Sequence, residues 1–402
     1  MGCPIEPRLK YHPLGQSNRV TESMTQTEER RELTGLARSI DALFTPEGMS
    51  PDTRDAVREE IVWDVGPEKP RPRSRARETS ARKLRVALDV FLEADSSERA
   101  ASADALRDAA AVHLEVHDPT SVAEAVERLL RRAGDPHEDA RVEMAQTLLW
   151  PGVAKLLVKR LGSERDEGLR TDLIELCLPL GPRMARTISE ELAETTDRAA
   201  RFVYVDTLIA MGDVARPVVE SMVTESRWYV VRNAVAILGE LHGERSVELI
   251  VSALAHTDGR VRREALHALA KVGGEDAGPL VIGLFEDADP DVRLAAANAA
   301  AALGVDRALK PLLDLLDRES EPSRAMVVVE ALGQLGDPGA VNAIERRAVG
   351  SLFSKSPTEV RVAAYGALHK IATPRAKSLL VQAADDRDPV VRNEVRRLLR
   401  MR

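Results

Sequence analysis

Aromatic side chains are scarce in this chain: five Phe, four Tyr and three Trp among 402 residues. The apolar content, 44%, is mostly Ala, Val and Leu, and a core of small aliphatic groups favours closely stacked helices. Two cysteines, Cys3 and Cys177, allow at most one disulfide, which excludes a disulfide-stapled framework. Both are read as free thiols of a reducing compartment, so the expected location is cytoplasmic. No run of about 18 apolar residues occurs, and no segment is expected to span a membrane. The first residues lack the apolar stretch of a secretory leader, and Glu6 stands where a myristoylation site requires Ser or Thr. Positive charge is not in excess either: the net charge is −8 and the pI near 5.7. Phosphate binding needs clustered Lys and Arg, so nucleic acid is not an expected partner of the surface at large. Ser-His-Asp, Walker and dinucleotide-binding patterns are missing, and no cofactor is expected.

What the chain has is punctuation. Asp289-Pro290-Asp291-Val292-Arg293, with Leu294 through Leu303 and then Gly304, spells one complete helix. Asp289 suits the N-cap, Pro290 the first helical position, where no N–H is required, and Gly304 the left-handed stop. Asp388-Pro389-Val390-Val391-Arg392 repeats the phrase, and Asp258-Gly259-Arg260-Val261-Arg262 repeats it with Gly273 as the stop. Aligned on the arginine, the register runs Arg141, Arg170, Arg201, Arg232, Arg262 and Arg293, then Arg361 and Arg392. The first spacings are 29, 31, 31, 30 and 31 residues. Eleven residues after the arginines stand Gly152, Gly181, Gly212, Gly243, Gly273 and Gly304, and Ala372 replaces glycine after Arg361. Four residues before stand Asp166, Asp197, Asp258, Asp289 and Asp388. One intervening repeat carries Ala325 in the arginine place and ends at Gly336.

A period near 31 residues holds two helices and two tight turns. Val261, Ala265, Leu266, Leu269 and Val272 mark one apolar face of the second helix; Val247, Ile250, Val251 and Leu254 mark one of the first. Neither helix buries its face alone, whereas stacking makes a continuous core in which each repeat touches its neighbours. Residues 137–402 are therefore expected to be a helical repeat array. Before it, residues 1–26 read as disordered, with Met24 a candidate true start, and 27–63 as a short helical segment. Residues 64–80 form a basic Pro/Arg-rich linker, and 81–136 a degenerate helical cap with a break at Asp118-Pro119. The stretch from Pro67 to Arg85 holds eight Lys or Arg against two Glu. Its Lys69–Arg85 arm is the one place where weak nucleic-acid binding could reside.

The Asp-Pro-x-Val-Arg phrase, the Ala/Leu-rich helix after it and the closing Leu-Gly resemble the short HEAT-like repeats of the family named after phycobilisome lyases. The resemblance covers about residues 137–402 and concerns fold. It implies an all-α, right-handed α-solenoid of HEAT-like helical hairpins. It also implies that Asp166, Arg170, Asp197, Arg201, Arg232, Asp258, Arg262, Asp289, Arg293, Arg361, Asp388 and Arg392 form a buried hydrogen-bonded ladder between repeats. Arginine's planar fork suits such pairing. The most regular charges of the chain are thus expected to be scaffold.

Candidates for function lie where the pattern breaks. Phe202, Tyr204, Trp228 and Tyr229 gather a third of all the aromatics. Trp228 takes the place of a capping Asp, and rule-breaking positions are where function is expected. Asp206, His267 and Asn298 follow their register positions by five residues and are expected on the same inner ridge as Phe202. The spacing into Arg361 is longer by about six residues, in a loop bearing Phe353. His113 and His117 lie one helical turn apart, but no third metal ligand accompanies them. Di-iron hydroxylases of HEAT-like build carry several His-Glu dipeptides, and this chain has only His137-Glu138. HEAT-like DNA glycosylases need a basic inner groove that these helices lack. The expected function is a non-catalytic scaffold that binds a protein or peptide on its inner face. The alternative is an enzyme or enzyme subunit similar to bilin lyases.

Overall fold

The computed structural model describes residues 75–115, 118–131, 138–273, 277–305, 307–349 and 356–400. Met24, the 27–63 segment, most of the basic linker, His117, His137 and Phe353 lie outside the described residues. Every regular element among the described residues is helical.

Three helices open the structure: α1 (Arg75–Glu93), α2 (Arg99–Glu115) and α3 (Pro119–Leu130). The linker expected to run through residue 80 is helical from Arg75 onward. Between Pro72 and Pro119 there is no proline, and Arg, Ala and Glu are good helix formers. Asp118-Pro119 does interrupt the chain, with Pro119 at the first position of α3.

Hairpins follow, each with a first (A) and a second (B) helix. α3 is the A helix of α4 (Glu138–Leu148). α5 (Pro151–Ser163) leads to α6 (Glu167–Cys177), and α7 (Gly181–Glu194) to α8 (Arg198–Ala210). α9 (Arg216–Met222) leads to α10 (Trp228–Leu241), and α11 (Glu244–Ala253) to α12 (Gly259–Val272). α13 (Gly278–Gly283) leads to α14 (Pro290–Ala302), and α15 (Leu309–Arg318) to α16 (Pro322–Leu335). α17 (Val341–Val349) leads to α18 (Thr358–Ile371), and α19 (Pro374–Ala383) to α20 (Pro389–Arg400). The structure is an all-α solenoid with one continuous apolar core.

The helix starts follow the spelled rules. Asp166, Asp197, Asp258 and Asp289 are N-caps whose side chains accept backbone N–H groups of the first turn. Asp388 accepts from the N–H of Val390 in the same way. At the ends, Gly336 turns left-handed at φ 76°, and Ala372 adopts φ 55° in the place where other repeats have glycine.

The arginines do two things. Their guanidinium groups fold back onto the carbonyls of the turn just before the B helix: Arg262 donates to His256 and Thr257, Arg293 to Asp287 and Ala288, Arg392 to Asp386, and Arg201, at 3.5 Å, to Thr196. Two of them also pair across repeats. Arg262 forks onto Asp287 with both distances 2.7 Å, and Arg361 pairs with Asp386. The hydrogen-bonded carboxylate is thus Asp287 or Asp386, two residues before the cap; the cap Asp388 comes only to 4.0 Å of Arg361. One oxygen of each cap holds its own helix, and at Asp388 the other accepts from the Thr358 hydroxyl of the preceding repeat, while the residue two earlier faces that repeat and takes the cap's N–H as well. Both fork carboxyls lie below the usual carboxylate range. Burial pushes each up, but the N–H of the cap residue and the arginine outweigh it.

Within the solenoid, the row that stacks tightly changes. From α3 to α7 the A helices lie side by side, α3 on α5 and α5 on α7. From α10 onward it is the B helices, α10 on α12 and so on to α20. Gly239 and Gly333 mark that second row: a Cβ at Gly333 would lie 2.6 Å from the Cα of Ala367, and one at Gly239 3.0 Å from the Cβ of Ala268. Among the early B helices, α6 buries only Leu176 and Cys177, and α4 and α6 form no such pair.

Candidate functional site

Helix α10 begins on Trp228 itself. Trp228 holds the register position of the capping Asp, so the cap moves back to Arg227, whose side chain accepts nothing. The helix starts without a side-chain cap and presents an indole at its mouth. Tyr229 packs edge-on to it, with ring centroids 5.8 Å apart. The Arg260 guanidinium, from the start of α12, stacks at 3.3 Å from the Trp228 centroid, and Arg232 approaches to 5.7 Å. On α8, Arg198 lies 5.7 Å from the Phe202 ring. Each contact joins a ring face to a cation, an attraction that strengthens as water is withdrawn.

Arg232 and Arg260 belong to one electrostatic group. Burial draws Arg232 below its ordinary value; Glu264 opposes this, and Arg201, Arg263 and Arg260 add to it. Glu264 is buried on α12, and burial pushes its carboxyl up against the pull of Arg232, Lys271 and Arg263. A buried carboxylate among cations stays charged only by such pairing. Arg260 is also held by Asp258 at 2.7 Å, and Arg263 by Asp291 at 3.3 Å. The result is a half-buried patch of rings and guanidinium groups across α8, α10 and α12, embedded in an acidic chain. Arg198, Arg260, Arg263 and Glu264 were not singled out from the sequence; the dense Arg260-Val261-Arg262-Arg263 run was the available signal.

The other expected residues divide. Tyr204 is a correction: it is not a surface group but core. Its ring fills the notch above Gly162, where even a Cβ would meet the phenol oxygen at 2.3 Å, and its hydroxyl donates to the Val158 carbonyl at 3.2 Å. Burial pushes that phenol up to about 12. Asp206 remains open to solvent on α8, yet the surrounding protein pushes its carboxyl up to about 6, with Arg170 opposing. His267 is half-buried, and burial, Arg263 and Lys271 draw it down to about 4, so it is neutral near pH 7. Asn298 is exposed on α14. The expected ridge through Asp206, His267 and Asn298 is interrupted, because Ile237 occupies the equivalent position of α10 and is fully covered. His113 is buried, with Nδ1 3.7 Å from an Asp118 carboxylate oxygen. Among the described residues no group of three or more His, Cys, Asp or Glu is placed to hold a metal. Cys177 is buried and its thiol pushed up to about 12, which leaves it inert near neutral pH. Among the described residues no helix is long and apolar enough to cross a membrane.

Comparison with known proteins agrees with this architecture. The HEAT repeats family matches residues 215–287, 248–332, 277–351 and 326–400. Residues 215–400, a little under half of the chain, are thus matched as HEAT repeats. No curated protein matches its sequence. Among solved structures it is similar to Kap121p bound to Pho4p, with 12% identity and a TM-score of 0.47, covering 78% of this repeat protein and 39% of the karyopherin. It is similar to YibA of E. coli, with 14% identity and a TM-score of 0.38, covering 75% and 98% of the two chains. It is also similar to the CpcE–CpcF phycocyanin lyase complex of Nostoc sp., with 20% identity and a TM-score of 0.33, covering 58% and 94%. At such identities and TM-scores, none of these likenesses bears on what the HEAT-like chain binds or does.

Proposed function

We propose that this HEAT-like solenoid is a protein-interaction scaffold, and that a protein or peptide segment docks across α8, α10 and α12. The observation that supports this reading is the Trp228 site. An uncapped helix mouth carries an indole stacked on Arg260, beside Tyr229 and Arg232. Trp, Tyr and Arg are the residue types that anchor most interfaces, because they offer large, stiff contact area with polar edges. Phe202 and Arg198 extend the patch along α8, and Asp206 adds an acceptor beside it. In a solenoid such a face is long and solvent-open, which suits an extended or helical segment of another protein.

The test is capture from the natural cell lysate with the tagged chain and with the Phe202→Ala/Trp228→Ala double variant, both treated with nuclease and quantified by mass spectrometry. A stoichiometric protein partner held by the unaltered chain and depleted at least about tenfold by the double variant is expected, since two lost anchors remove more than about 1.4 kcal/mol. Equal retention by both proteins would remove these helices from the interface. Loss of the partner on nuclease treatment would move attention to the Lys69–Arg85 arm.

A further inference from the structure

The break in the early B row opens a cleft. Its volume is about 1110 Å³, and it is floored by the ends of α3 and α5 and walled by α6. Two turns of a helix about 10 Å across occupy roughly 850 Å³, so the space accepts one helix. The wall has a helical pattern of its own. Leu169, Leu173 and Leu176 are spaced by four and three residues, the interval that puts side chains on one face. Leu169 is 54% exposed. At the register position just before the arginine, the later B helices place Val231, Val261, Val292 and Val360, all buried.

The open face is charged. Two residues after the register arginine, α10, α14 and α18 carry buried Ala234, Ala295 and Ala363, and α12 carries Glu264, buried among Arg232, Arg263 and Lys271. Helices α4 and α6 carry Glu143 and Asp172 there, both exposed. The later row closes over a carboxylate where cations surround it; here both carboxylates stay in solvent. The same sign continues around the cleft. Glu138, Glu164, Asp172 and Glu175 line it together with Glu127, against Arg131 and Arg160. Both arginines turn to Glu127, Arg131 at 3.5 Å and Arg160 closer still.

We propose that this cleft takes a basic amphipathic helix of a partner protein, two to three turns long, whose apolar stripe meets Leu169, Leu173 and Leu176 and whose Lys or Arg flanks meet the acidic rim. A helix laid in a groove between helices reads the same spacing as the groove's own stripe. Charge complementarity selects the sign of the occupant and raises its rate of encounter. The chain's own basic arm is the less suitable occupant. It enters α1 at Arg75, and α1 runs alongside α3 with Ala81 and Leu84 near Ser121 and Leu88 near Arg128. α1 thus begins beside the start of α3, whereas the cleft lies at the end of α3, near Leu130 and Arg131. This inference stands on α3 to α6 and is independent of the patch around Trp228.

The probe is a fluorescein-labelled synthetic helix of about 11 residues, apolar along one stripe and lysine-rich on its flanks, with a glutamate-flanked twin. Fluorescence anisotropy with the full chain, at about 0.15 M salt to screen diffuse attraction, reads affinity. Saturable binding of the lysine helix at least about tenfold tighter than its twin is expected, weakened about tenfold by Leu169→Ser. The Asp172→Lys/Glu175→Lys variant should reverse the preference between the two helices. All three substituted side chains are exposed, so these variants keep the fold. Equal affinity for both helices, or binding indifferent to Leu169→Ser, would overturn the proposal. So would a concentration-dependent dimer in sedimentation that Leu169→Ser abolishes, because it would give the cleft to a second copy. The Phe202→Ala/Trp228→Ala variant should bind the lysine helix unchanged, which separates failure here from failure at the other face.

Discussion

The stretch from α3 to α7 and the stretch from α10 to α18 use one repeat period in two ways. In the first, the A helices are long and central: α5 spans 13 residues and α7 spans 14, and α7 buries seven of them. Their partner α6 buries two. In the second, the A helices shrink, α9 to 7 residues and α13 to 6, while α10 spans 14 and buries nine. A row stacks tightly where its facing side chains are small, or where a buried charge such as Glu264 is met by opposite ones. Ala234, Ala295, Ala363, Gly239 and Gly333 meet that condition in the later B row, and Glu143 and Asp172 fail it in the earlier one. Where the B row fails, the core is carried by the A row, and the B helices become a surface. HEAT repeats are matched from residue 215 onward, the half in which the B row is closed.

The sharpest way to break this contrast is to wedge the closed row. Gly333→Val places a branched side chain against the Ala367 backbone and should cost about 3 kcal/mol or prevent folding. Gly366→Ala, one residue from that contact on α18, has nothing within 4 Å and should stabilise by about 1 kcal/mol. Urea unfolding of the two variants checks the opposite signs. A milder comparison uses one register position in both halves. Val261→Ala opens a void in the closed row and should cost about 2 kcal/mol, while Leu169→Ala should change stability by less than about 0.5 kcal/mol. Similar losses at both sites would mean that the early row is closed in solution.

The smallest expected effect concerns Asp206, which sits near the junction of the two halves. Its folded pKa, about 6, lies above the ordinary carboxylate value of about 3.9. The folded state therefore binds this proton more tightly, so its contribution becomes more favourable as pH falls from about 6 toward 4. Asp206→Asn should raise Tm by about 1–2 °C at pH 7.5 and leave it unchanged at pH 4. The fork carboxylates Asp287 and Asp386 have the opposite sign. Their pKa values are lowered, so their stabilisation is complete above the ordinary value and is lost as pH falls through the lower folded one. A higher Tm of Asp206→Asn at pH 4 as well would show that shape, and not charge, is the cause.

Much of this was legible beforehand. Asp289, Pro290 and Gly304 declare their helix by local chemistry alone, and the fixed offsets of Arg262 and Gly273 declare the repeat. What stayed hidden depends on pairs far apart in the chain. Tyr204 looked like a surface aromatic because its notch is made by the absence of a side chain at Gly162. The fork partner Asp287 was overlooked in favour of Asp289, since both sit in one turn and only the three-dimensional path shows which faces Arg262. The exchange of tight rows was invisible to the period itself, which measures a repeat but not how the repeat is divided. One local sign pointed to it: the short spacing of 29 between Arg141 and Arg170.

The closed B row also has a mechanical meaning. Stacked repeats behave as springs in series, and a series deforms most at its most compliant member. Where Gly333 lets backbone rest on backbone, there is little slack to take up. Between α4 and α6 there is no such abutment. A pull on this chain would therefore be absorbed by widening or narrowing the acidic cleft, while the spacing of Phe202, Trp228 and Arg260 stays as it is. One end of the solenoid would yield so that the other keeps its gauge.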